Sequence, residues 1–139
     1  MTSWIGVDLD GTLAEYDGWK GIDHIGPPKE WVREYVLQLL DYGVEVRVMT
    51  ARVQEGQEAI DAIEGWCNVF LGQILPVTDK KDMDMVALID DRAYGPKPWH
   101  QVPEAWEFAA MTKWHNDPNN SNSPASVDQA DGASHDATV

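Results

Sequence analysis

Between residues 4 and 91, short apolar runs stop one after another at a polar or acidic residue. Trp4-Ile5-Gly6-Val7 runs into Asp8. Val44, Val46 and Val48 alternate with Glu45, Arg47 and Met49 and give way to Thr50. Ile74-Leu75-Pro76-Val77 precedes Lys81, and Val86-Ala87-Leu88-Ile89 runs into Asp90-Asp91. Period-two alternation and brief apolar runs are strand signals. The stretches between them carry a different period. In residues 28–42, Trp31, Val32, Tyr35, Val36, Leu39 and Leu40 recur at helical spacing, and Gly43 is a natural stop. Residues 57–66 form a second helical pattern with Ile60 and Ile63 on one face, and residues 103–114 a third. Strands alternating with helices predict an α/β, Rossmann-like parallel sheet with helices on both faces. Ligands of such sheets sit beyond the carboxyl ends of the strands. Asp8, Thr50, Lys81 and Asp90-Asp91 are therefore expected along one edge.

Composition bounds the rest. The chain has 139 residues, the size of one domain. Residues 1–114 read as the folded domain. Residues 115–139 contain four Asp, no Lys or Arg and no aromatic side chain, and they read as a disordered acidic tail. The net charge of -14 argues against binding duplex nucleic acid or an anionic membrane, both of which need clustered cations. No apolar run is long enough to span a bilayer. Cys67 is the single cysteine, so no internal disulfide is expected, and a reducing, cytoplasmic setting is the default.

Asp8-Leu9-Asp10-Gly11-Thr12 carries the most specific chemistry. Two carboxylates at i and i+2 on extended chain point to the same side. One can attack phosphorus as a nucleophile, and the other can serve as general acid and base. Close like charges raise a pKa, and a cation relieves the repulsion. Asp90 and Asp91 complete an all-oxygen set suited to Mg2+. Thr50, with Ala51 beside it at the start of a helix, and Lys81 are the expected phosphate-binding residues. Thr50 would offer a hydroxyl and a backbone N–H.

These segments resemble the motifs of the haloacid dehalogenase superfamily of phosphohydrolases. DLDGT matches the first motif, Thr50 in MTAR the second, Lys81 in TDKKD the third, and IDDR the acidic fourth. The resemblance covers roughly residues 3 to 95. The pattern is similar to short phage-encoded members. The resemblance implies an enzyme, a phosphatase with Asp8 as nucleophile and Asp10 as general acid/base. It implies magnesium held by Asp8, the backbone carbonyl of Asp10, and Asp90 or Asp91. Neither gap beside the second motif is long enough for a cap, so no large cap domain is expected. An open site suits a nucleotide, a phosphorylated polynucleotide end or a small phosphorylated metabolite. A phosphate- or metal-binding module without turnover is the alternative.

Other residues have plainer readings. Thr50 could cap the following helix. Arg52 reads as a surface or carboxylate-pairing residue, His24 as a loop residue, and His100 and His115 as surface residues. Cys67 reads as a small core residue. Trp31 and Trp66 fit helix core faces, while Trp19 and Trp99 sit in loops.

Overall fold

The computed structural model describes residues 3–96 and 102–119. The chain divides into two units, Met1–Tyr16 with Lys20–Asp91, and Asp17–Trp19 with Arg92–Val139. The first unit holds the sheet.

Four parallel strands, β1 (Trp4–Asp8), β2 (Glu45–Met49), β3 (Val77–Thr78) and β4 (Met85–Ile89), form that sheet in the order β3-β2-β1-β4. Helix α1 (Glu30–Asp41) crosses from β1 to β2, and α2 (Gln57–Leu71) from β2 to β3. These crossovers step in one direction, and the chain then returns to place β4 on the far side of β1. The strand order therefore reverses between β1 and β4, which is where an open α/β sheet leaves a crevice at its carboxyl edge. The expected α/β architecture is present, and among the described residues no large cap is inserted into it.

Side chains explain the layers. Val7 on β1 and Val46 and Val48 on β2 alternate onto one face and are fully or almost fully buried. They pack with Val32 and Val36 of α1 and with Ile63, Trp66, Cys67 and Leu71 of α2 in one apolar cluster. Burying each such aliphatic side chain contributes about 1.5–3 kcal/mol before entropy is counted. Arg33 of α1 joins the two helices by donating from Nε to the Phe70 carbonyl at 2.6 Å. On the opposite face, Trp4 is fully buried, stacks under the Arg47 guanidinium at 4.4 Å and donates its indole N–H to Asp82 at 2.7 Å.

Some boundaries and faces differ from the sequence reading. Helix α2 continues to Leu71 because Trp66, Cys67, Phe70 and Leu71 extend the apolar stripe begun at Ile63, and it ends at Gly72 with φ 76°. Trp31, expected on a core face, is 69% exposed. The buried stripe of α1 is centred on Val32 and Val36, and Trp31 lies about 120° from that centre.

In the second unit, α3 runs Ala105–His115, close to the expected residues 103–114. His115 is half-buried rather than at the surface. Burial, and secondarily the charge of Arg92, lowers its imidazole pKa. Trp99, His100 and tail residues 120–139 lie outside the described residues. No described helix is long and apolar enough to cross a membrane.

Candidate metal and phosphate site

The turn after β1 is closed by its own backbone. Leu13 N–H donates to the Asp8 carbonyl at 3.1 Å, Ala14 N–H to Leu9 at 2.8 Å, and Gly11 N–H to Ala14 at 2.8 Å. This folds residues 8–14 back on themselves and leaves Asp8 at the mouth of the crevice. Gly11 is required twice over. Its φ is +87°, and a Cβ there would lie 2.5 Å from Asp91 Oδ2. Thr12, which the sequence reading left without a role, is buried and ties the two sides together. Its Oγ1 accepts the backbone N–H of Asp91 at 2.9 Å. Its hydroxyl can donate to Asp91 Oδ1 at 3.0 Å or to Asp8 Oδ2 at 3.2 Å.

Asp8, Asp90 and Asp91 thereby come together, with one oxygen from each inside a span of 4.8 Å. Asp8 and Asp90 are half-buried, and Asp91 is exposed. The Asp8 carboxyl pKa is pushed up to about 8. Burial is the largest cause, followed by its hydrogen bond with Asp91 and the charges of Asp90 and Asp91, while the Thr12 hydroxyl works the other way. Clustered carboxylate oxygens, with the Asp8 carboxyl pushed up by burial and by its neighbours, fit a hard divalent cation. The three carboxylates could hold one.

Asp10 stands apart from that set. Both its oxygens are taken by Arg52, from Nε at 2.7 Å and from Nη2 at 2.9 Å. Arg52 is 3% exposed, so of its two sequence readings the carboxylate-pairing one applies and the surface one does not. Among the described residues no backbone donor reaches the Asp10 carbonyl, the atom that the resemblance assigns to a cation.

Thr50 lies where β2 ends and is buried. It caps the short 3₁₀ turn Ala51–Glu55, not α2 itself, by accepting the Arg52 N–H on Oγ1 at 3.2 Å. Its backbone N–H donates to the Thr78 carbonyl at 2.9 Å and is therefore spent within the sheet. The hydroxyl proton is still available as a donor, and the Ala51 N–H has no partner among the described residues. Lys81 is exposed in the loop between β3 and β4, and no hydrogen bond or ion pair joins it to the carboxylates. The residue after it, Asp82, pairs with Trp4, the first residue of β1. The structure thus brings Asp8, Asp90 and Asp91 together, links Asp10 to Arg52, and leaves Lys81 outside both groups.

No protein-family model matches this chain, and no curated protein matches it. A solved structure is similar, that of a conserved protein from Bacteroides thetaiotaomicron. It is 23% identical, with a TM-score of 0.50 over 81% of this chain and 91% of that one. At this identity the likeness shows the α/β fold alone.

Proposed function

We propose that the chain is a magnesium-dependent phosphomonoesterase of the haloacid dehalogenase type, working through an aspartyl-phosphate on Asp8. The gathering of Asp8, Asp90 and Asp91 within 4.8 Å at the strand-order reversal carries this reading. Their donor set, oxygen only, suits Mg2+. When bound, such a cation neutralises phosphoryl charge and the repulsion among the carboxylates.

The residues divide the work. An Asp8 oxygen forms a bond to phosphorus as the bond to the leaving oxygen breaks. Asp10 gives that oxygen a proton. Asp10 then takes a proton from water, whose oxygen attacks the aspartyl-phosphate, releasing phosphate and restoring Asp8. Thr50 Oγ1 and the Ala51 N–H donate to phosphoryl oxygens. Among the described residues of the first unit no large cap is inserted between the strands and helices, which supports an accessible substrate such as a nucleotide, a polynucleotide end or a small metabolite.

Lys81 has no hydrogen bond or ion pair to the carboxylates, and a second reading is a phosphate- or metal-binding module without turnover. One experiment separates the two. The full chain is incubated with a chromogenic aryl phosphate, with and without magnesium, beside Asp8→Asn. Magnesium-dependent turnover lost in the variant supports the phosphatase. Magnesium and phosphate binding without turnover supports the module.

A further inference from the structure

Arg52 is a buried cation with every nitrogen committed. Beyond its two bonds to Asp10, Nη2 donates to the His24 carbonyl at 2.9 Å. Nη1 faces the carbonyls of Ile22 at 3.4 Å and Gly21 at 3.5 Å. The segment supplying those carbonyls is itself fixed. His24 N–H donates to Gly21 at 3.3 Å, and the Trp66 indole donates to the Gly26 carbonyl at 2.9 Å. Gly26 lies so close to the Glu15 carbonyl oxygen that a Cβ there would clash with it. A guanidinium engaged in this way has no N–H to spare for a phosphate.

The planar fork matches the planar carboxylate, and two parallel bonds fix the carboxyl torsion, which is otherwise broad. Each Asp10 oxygen retains a second lone pair that Arg52 does not occupy. We infer that Arg52 is a positioning residue: it aims the Asp10 carboxyl at the leaving oxygen and makes residues 21–24 part of the acid's mounting. The inference rests on the phosphomonoesterase reading. It adds that the loop and the acid behave as one rigid piece, so the loop does not act as a moving lid.

A merely structural arginine would, on removal, slow all substrates alike. A positioning arginine would slow those that need the proton. Phenolate leaves poorly without protonation, whereas dinitrophenolate leaves readily. The test measures kcat/KM of the full chain with magnesium, for phenyl phosphate and 2,4-dinitrophenyl phosphate, in wild type, Arg52→Lys and Arg52→Ala. Lysine keeps the charge but cannot form the fork. Phenyl phosphate turnover is expected to fall about 100-fold in both variants and dinitrophenyl phosphate turnover less than about threefold. Free guanidinium is expected to restore phenyl phosphate turnover in Arg52→Ala and not in Arg52→Lys. The ratio of the two substrates in one preparation does not depend on how much of the protein is folded. An unchanged ratio, or joint loss of both substrates in both variants, overturns the inference while leaving the phosphatase reading intact. A wild-type protein that turns over neither substrate overturns both.

Discussion

Thr12 accepts the backbone N–H of Asp91 at 2.9 Å, across a sequence separation of 79 residues. That bond pins the turn after β1 to the turn after β4 and so sets the distance between Asp8 and the other two carboxylates. Valine has nearly the same shape but neither donates nor accepts. In Thr12→Val the Asp91 N–H loses its partner, which costs about 1–3 kcal/mol for a group out of reach of water and less where water enters. The expected result is a lower denaturation midpoint together with weaker magnesium binding by calorimetry. Unchanged magnesium affinity would show that Thr12 does not set the carboxylate spacing.

Gly11→Ala tests the same junction from the other side. The added methyl would meet Asp91 Oδ2 at 2.5 Å, and the φ of +87° is strained for any L side chain. Such a backbone position costs on the order of 1–3 kcal/mol, and the carboxylate must also move away. Loss of magnesium affinity should exceed the loss of stability, because Asp91 is exposed and its displacement disturbs little packing. Comparing magnesium titrations and denaturant midpoints for the same preparation checks this.

The parallel sheet and the acidic junction were legible because they are written locally. Val44, Val46 and Val48 alternate, and Asp8 and Asp90-Asp91 each follow an apolar run. The Arg52–Asp10 pair was half legible. The residue type suggested a carboxylate partner, but which one, 42 residues away, follows only from the pairing of β1 with β2. Trp31 misled because a tryptophan on an amphipathic pattern reads as core, although periodicity alone does not fix where the edge of the stripe falls. Thr50 was read for its donors. The register of β2 with β3, which consumes its N–H on Thr78, cannot be seen in one sequence.

Trp66→Phe keeps the ring in the core and removes one hydrogen bond, the one to Gly26. A net loss of about 1 kcal/mol is expected, with more if the Gly26 carbonyl is left without water. Residues 21–26 should then become locally looser, visible as faster amide hydrogen exchange of His24, whose N–H is bonded to Gly21. Exchange at His24 no faster than in wild type would mean that Arg52 alone holds the segment.

The raised Asp8 pKa makes stability depend on pH in a defined direction. Its ordinary value is 3.8, and in the fold without a cation it is about 8. Between those values the folded protein holds a proton that the unfolded chain has released. The resulting stability is fully present below about pH 4 and is lost as pH rises through about 8. With a chelator present, the melting temperature should therefore fall from pH 6 to pH 8. In Asp8→Asn, which has nothing to titrate at that position, this part of the slope should vanish. Magnesium binds the ionised carboxylates, so its stabilisation should be larger at pH 8 than at pH 6. Equal slopes in wild type and Asp8→Asn would show that Asp8 does not carry the retained proton.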